Sequence, residues 1–432
     1  MKTYTIETEA GPVDAFPMIP AFVAPKLPAT FTANRKALVN RIKTVAGFVP
    51  SRTPRAILTN LRMSVNGTVE LSATDCERWI ETAEDHDRSG DRVDLVPAKQ
   101  LLSALRSLKS KDVTCEFEGN RLTLRGDGGA LTIPLNDDVD DYPAVPHVEA
   151  VVIVTMEGAK LADAIDGTIF ATDCESTRYA LGGIMFDLVY NPAEPTPQDG
   201  TLTLAATDTR RLAIRECGSV GIVGCTGNLN DTIVVPTAFL SAIRGMVAGE
   251  SCLTIKISEN EIELIGTNWR AISRLVQGRF PRYRDVIPCE ANRQVCFHAA
   301  DLLAGIESAA MATTDEQSGI DLKFGNAAGE TIVTMRGKSC DKGESTAVVK
   351  GAQVILTAEK RRDRDGKNIH KNDRQRHDVI TIRPEYLAEF LRELPKTAKY
   401  VQLSLTNCES AMVVTATGID GKYIVMPLGR GK

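Results

Sequence analysis

The sequence predicts an α+β protein of three repeated domains, each with two helices packed on antiparallel sheets. Three observations predict it. A Leu-x3-Ile pair recurs as Leu38/Ile42, Leu161/Ile165 and Leu302/Ile306, a proline-introduced amphipathic segment follows each pair, and behind each of those runs a stretch of alternating residues.

The i,i+4 spacing of each Leu and Ile puts both on one helical face. A short β-like stretch precedes each of these helices. After a polar turn comes a strand-like run: Ala56 to Val65, Tyr179 to Leu188 and Gly319 to Phe324. Residues 71–80 (LSATDCERWI) then nearly coincide with 204–213 (LAATDTRRLA), while the third copy keeps only Thr331 to Met335. Leu38 lies 37 residues before Asp75 and Leu161 lies 47 before Asp208; the difference of ten matches the proline-containing stretch Asn191 to Gly200, which reads as a surface insertion. The second helix opens at Pro97, Pro236 and Pro384. Proline suits a first helical position, where its missing N–H costs nothing. The runs behind it, Thr114 to Leu124, Leu253 to Ile265 and Val401 to Thr415, have the period of two of half-buried antiparallel strands. A repeat of this length, far beyond a solenoid unit, is a triplicated domain. The expected division is an N-terminal extension at 1–30 and domains at 31–147, 148–289 and 290–432, the last carrying a charged insertion at 357–378.

Composition sets outer bounds. The chain has 432 residues, 43% hydrophobic and 25% charged, enough for two to four domains with their own cores. No run approaches the roughly 18 apolar residues of a membrane helix. Glu7 and Glu9 precede a segment broken by Pro17, Pro20, Pro25 and Pro28, which is not a signal-peptide pattern. A cytoplasmic protein without membrane association is expected. The ten cysteines include no CxxC pair and read as reduced and mostly buried. A net charge of −5 does not exclude nucleic acid, because a basic stripe on an acidic body still attracts phosphate.

Three stretches on this triplicated chain, ATDTRRLA at 206–213, VQGRFPRYRDVIP at 276–288 and YIVMPL at 423–428, resemble the bacterial replicative sliding clamps, the beta subunit of DNA polymerase III. The resemblance spans roughly Phe31 to Leu428. It implies a homodimer in which two chains join head to tail, first domain against third, as a six-domain ring with helices lining the hole. Its implied partners are duplex DNA, bound without regard to sequence, and the replicative polymerase, the clamp loader and other clamp-motif proteins.

The first two helices fit that inward placement. Arg35, Lys36, Arg41 and Lys43 lie on one, and Lys99, Arg106 and Lys109 on the other, with no acidic residue from Ala33 to Phe48 or from Ala98 to Lys111. Helices of the later repeats carry Glu157, Asp163, Asp166, Asp301, Glu307, Glu385 and Glu389, so positive potential concentrates in the first repeat. By its place in the motif, Arg52 matches a loop arginine that contacts DNA in this family. Arg178 and Tyr179 match a second such loop, although Ala180 stands where relatives often have another tyrosine.

The resemblance also implies a groove for short partner peptides between the second and third domains. Carried over position by position, its walls are Leu181, Thr207, Arg211, Leu212, Pro281, Val286, Ile424, Met426, Pro427 and Leu428. Apolar pockets would take Leu or Phe anchors, Thr207 and Arg211 would supply polar contacts at the rim, and Met426 would adapt to several ligands. Asp285 occupies a position that is often basic in relatives, and the chain runs on to Lys432.

No catalytic residue, metal ligand set or cofactor loop is expected. Gly337-Lys338-Ser339 lacks the earlier glycine of a phosphate-binding loop, with Ile332 in its place. Asp75 and Asp208 repeat because the domain repeats, and cap turns. The leading function is a processivity clamp; the alternatives are a specialised clamp paralogue in repair or inhibitor resistance, and an enzyme on a related repeated fold.

Overall fold

The computed structural model describes residues 27–135, 139–173, 179–227, 229, 233–315, 318–327, 330–357 and 379–429. Arg178, the side chain of Tyr179, most of the N-terminal extension and all but Thr357 of the charged insertion lie outside the described residues.

One topology appears three times. In the first repeat, strand Ala29–Asn34 leads into helix α1 (Arg35–Ala46), and α2 is Ala98–Ser107. The second repeat supplies α3 (Gly158–Asp166) and α4 (Thr237–Val247); the third supplies α5 (Ala299–Ala310) and α6 (Pro384–Arg392). The strand before the first helix of each repeat pairs antiparallel with the strand after the second: Ala29–Asn34 with Asp112–Glu118, Val152–Met156 with Leu253–Ile257, and Arg293–His298 with Tyr400–Leu405. The strand after the first helix sits between two others in the same way each time. Asn60–Asn66, Gly183–Val189 and Ile320–Ala327 each pair with the next strand and with the one that leads into the second helix. The two helices of each repeat pack side by side.

The described residues divide into two compact units, those up to Asp75 together with Ile80–Ala144, and Cys76–Trp79 together with those from Val145 on. The second unit holds two repeats because a ladder crosses between them: Arg211–Cys225 runs antiparallel to Gly421–Val425, with Leu212 opposite Ile424. Below that ladder Ala205, Leu212, Ile214, Val234, Phe280, Tyr283, Ala411 and Ile424 form one buried cluster.

Four expectations are corrected. Ala56–Thr59 and Tyr179–Gly182 are 3-10 turns that precede their strands. The surface insertion is shorter than the difference of ten suggests, since Gln198, Asp199 and Gly200 pair with Ile222, Gly221 and Val220 and lengthen a hairpin. Pro97 and Pro236 stand one residue before their helices, with ψ of 113° and 132°, and only Pro384 is inside the first turn. The fixed φ of proline serves an extended residue as well as a helical one. Of the nine described cysteines only Cys115 and Cys217 are buried, while Cys252, Cys289 and Cys340 are exposed. Among the described residues no helix is long and apolar enough to cross a membrane.

Candidate functional site

In α1 the buried side chains are Leu38, Arg41, Ile42 and Val45, an i,i+3,i+4,i+7 stripe. Arg41 therefore leaves the set of solvent-facing cations. Its Nε donates to Thr82 Oγ1 at 2.8 Å, its Nη2 donates to the carbonyls of Thr82 and Val69, and Glu84 lies 3.4 Å from its Nη1. Burial lowers its pKa, with Glu84 and Glu70 opposing. Arg41 braces the sheet behind the helix. Arg35 is half-buried and also employed, its Nε donating to Ser110 O at 2.8 Å and its Nη1 to Leu105 O at 3.3 Å. With the Arg35 N–H donating to Lys111 O at 2.9 Å, it ties the start of α1 to the end of α2.

The remaining cations lie along the exposed sides of α1 and α2 and just after α2. Lys36, Lys43, Lys99, Arg106, Lys109 and Lys111 are exposed, and none meets a carboxylate among the described residues. Arg52 is exposed in the loop after α1. In the second unit the helix cations are neutralised instead: Lys160 by Glu157 at 3.7 Å, Arg244 by Asp166 at 2.8 Å and Arg392 by Glu307 at 2.7 Å.

The second candidate site lies over the ladder between the second and third repeats. The Met426 N–H donates to Arg210 O at 2.9 Å and carries that ladder one step further. Beside it is a cavity of about 220 Å³ lined by Thr207, Thr209, Arg211, Leu212, Pro281, Arg282, Tyr283, Val286, Ile424 and Met426. Seven of the ten sequence-predicted groove residues are in that lining. Leu181 is buried and absent from it, as are the half-buried Pro427 and Leu428, the latter held by its N–H on Thr381 O at 2.8 Å. Sequence reasoning missed Thr209, Arg282 and Tyr283, although all three lie within the quoted motifs. Val286 and Met426 are 50% and 41% exposed, so apolar surface at the rim is left uncovered. A larger cavity of about 830 Å³ is lined by Glu77, Glu149, Glu259, Glu261, His147 and Arg274 among others, and offers charge where this one offers apolar walls.

The two residues expected to give polar contacts at the rim are turned inward. Thr207 Oγ1 donates to Arg211 O at 2.6 Å and accepts the Thr209 N–H at 3.1 Å. Arg211 spends its guanidinium on Asp208 (2.9 Å from Nε), Glu389 (Nη1) and Phe170 O (2.7 Å from Nη2), and lies 4.7 Å from the Tyr386 ring. Burial works to lower its pKa, but Glu389, Tyr423 and Asp208 more than offset this and hold it above the ordinary value. Asp208 is a turn cap as the sequence suggests: its Oδ1 accepts the N–H groups of Arg210 and Arg211, each at 2.9 Å. These bonds help hold Thr209 at a φ of +73°, a left-handed conformation costly for a β-branched residue; Cys76, after Asp75, also sits at +73°.

On the opposite wall, the Tyr283 hydroxyl donates to Asp187 Oδ2, which also receives Arg284 Nη2 at 2.6 Å. Burial raises the Tyr283 pKa, and the Asp187 hydrogen bond adds to it. The turn Tyr283–Val286, with Arg282 directly before it, is thereby fixed to the sheet.

Comparison with known proteins gives a consistent result. The family model for the DNA polymerase III beta subunit N-terminal domain matches residues 29–146 and that for the central domain matches 155–282, together more than half of the chain. The beta sliding clamp of Pseudomonas putida is 24% identical over 402 residues, covering 92% of this chain and 99% of that protein. That of Chlamydia pneumoniae is 22% identical over 402 residues, covering 92% and 98%. Among solved structures, a DnaN sliding clamp (DNA polymerase III subunit beta) from Pseudomonas aeruginosa bound to griselimycin has a TM-score of 0.78 at 21% identity, covering 94% of this chain and all of that one. The DNA polymerase III beta subunit of Thermotoga maritima gives 0.76 at 17% identity, covering 93% of this chain and 100% of that one.

Proposed function

The chain belongs to the DNA polymerase III beta subunit family, the non-catalytic bacterial sliding clamps that act as processivity factors, and we propose that two copies close head to tail around duplex DNA. What supports this reading most is a pair of open sheet edges. The first-repeat sheet ends at strand Gly129–Pro134 and the third-repeat sheet at Gly343–Lys350, each paired on one side only among the described residues. Each edge exposes apolar surface, Leu131 at 38% and Val348 at 59%. Open edges invite further pairing. A contact between two different edges is heterologous, and two such contacts can close a ring that leaves neither edge open.

In this reading DNA meets Lys36, Lys43, Lys99, Arg106, Lys109 and the loop residue Arg52, with Arg178 and Tyr179 added by their place in the family motif. Arg41 is not among them, and Arg35 serves first as a brace. Contact is with phosphate and therefore blind to sequence. Replacing Lys36, Lys99 and Lys109 with glutamine is expected to flatten the dependence of log affinity on log salt by roughly 0.9 for each phosphate contact removed. Fluorescence anisotropy on a short duplex across a salt series measures this, and an unchanged slope would move the DNA contact elsewhere.

The groove at Leu212, Pro281, Val286, Ile424 and Met426 takes short peptides of the replicative polymerase, the clamp loader and other clamp-motif proteins by their apolar anchors. A loader-dependent primer-extension assay tests the whole scheme. The chain is expected to convert short products into products spanning the template in one binding event, and products of unchanged length would count against it.

A further inference from the structure

Resting on the groove reading above, we propose that Arg282 makes this groove selective for peptides that carry a carboxylate beside their apolar anchors. Two lining side chains are charged, Arg211 and Arg282. Arg211 is spent, with all three guanidinium nitrogens engaged by Asp208, Glu389 and the Phe170 carbonyl. Arg282 is exposed, and its side chain has no partner among the described residues. Its neighbours do not cancel it. Arg284 is held by Asp187 at 2.6 Å, and Asp285 is exposed but does not line the cavity.

The uncompensated charge in the groove is therefore one guanidinium against apolar walls. A rim of low polarity strengthens its attraction for an anion relative to open water. The planar fork of an arginine matches a carboxylate in two parallel hydrogen bonds, so the preference is for an acidic side chain of the peptide. Arg282 stands directly before the turn Tyr283–Val286, which the Tyr283–Asp187 hydrogen bond pins. The arginine thus gives up little backbone freedom on binding. The same charge repels a basic residue, which adds discrimination by exclusion.

Three labelled synthetic heptapeptides test this, identical in their Leu and Phe anchors and differing at one intervening residue: Asp, Asn or Lys. Anisotropy titrations against the full-length chain are expected to rank them Asp, Asn, Lys, with about three- to tenfold between the first two, the scale of one charge-assisted pair at a partly desolvated rim. Arg282→Ala is expected to flatten the ranking and Arg282→Glu to reverse it. Equal binding of the Asp and Asn peptides, or an order unaltered by Arg282→Glu, overturns the role of Arg282 while leaving the groove intact. Failure of all three peptides to bind overturns the groove reading itself.

Discussion

Replacing Arg211 with methionine is expected to weaken the junction between Arg211–Cys225 and Gly421–Val425 by about 2–4 kcal/mol, the cost of leaving the largely buried Asp208 and the Phe170 carbonyl without the guanidinium that bonds them. Methionine keeps an apolar stem of similar reach, while the guanidinium that stacks 4.7 Å from the Tyr386 ring is lost together with its hydrogen bonds. Asp208 retains the N–H groups of Arg210 and Arg211 and stays partly satisfied, whereas Glu389 loses its Arg211 partner and the Phe170 carbonyl loses its donor. Nearby, Phe390 stacks on Tyr423 at 4.6 Å, and the Tyr423 hydroxyl donates to Tyr386 O at 2.9 Å, so disturbance at Arg211 passes into the strand that carries Ile424. Hydrogen exchange of the Gly421–Val425 amides measures the effect. At about 1.4 kcal/mol per factor of ten, protection should fall by roughly 30- to 700-fold. Unaltered protection would show that the ladder holds without the arginine.

Arg211 illustrates the limit of reading this site from sequence. Its motif places the residue beside the groove, and the cavity lining includes it. Direction is another matter: Asp208 precedes it by three residues and is legible, but Glu389 and Phe170 come from distant segments, and they turn the side chain inward. Arg282 is the converse case. A charged residue between anchors passes for ordinary surface until the structure shows that the other lining charge is spent.

Arg41 is legible as a buried position from the helical period of α1. Leu38, Ile42 and Val45 define the packed stripe of α1, and Arg41 falls on it by the same spacing; counting cations along the segment lost what the helical period contained. Lys36 and Lys43 fall off the stripe and are exposed, as are Lys99 and Arg106 beside the buried Ala98, Leu101 and Leu105. The repeat itself was readable because each copy writes its pattern locally, in helical spacing, a proline and an alternating run. The sheet edges were not, because which strand comes last in a sheet depends on pairings far apart in the chain.

Those edges set up the second large effect. The wild-type chain is expected to migrate at the mass of two copies and to remain on nicked circular duplex after loading, even at salt that abolishes its affinity for short linear duplex. Salt screens phosphate contact but does not undo threading. Cutting the circle should release it. Ala130→Pro should undo both properties, for a reason visible in the register. The Leu135 N–H donates to Asn120 O at 3.0 Å, and with Ile133 opposite Leu122 and Leu131 opposite Leu124 this turns the odd-numbered N–H groups inward. The N–H groups of Ala130 and Thr132 then face the open side, where Pro134 already stands without one. Ala130 is exposed, whereas Thr132 bonds Thr123 through its hydroxyl at 3.2 Å, so proline at 130 removes an outward donor and spares the internal sheet. An interchain acceptor left unpaired costs about 1–3 kcal/mol, and two interfaces carry the lesion in every ring, so the dimer dissociation constant should rise at least roughly tenfold. A stable wild-type monomer, equal retention on cut and uncut circles, or an Ala130→Pro variant that stays dimeric would each remove the edge-to-edge ring as the source of grip.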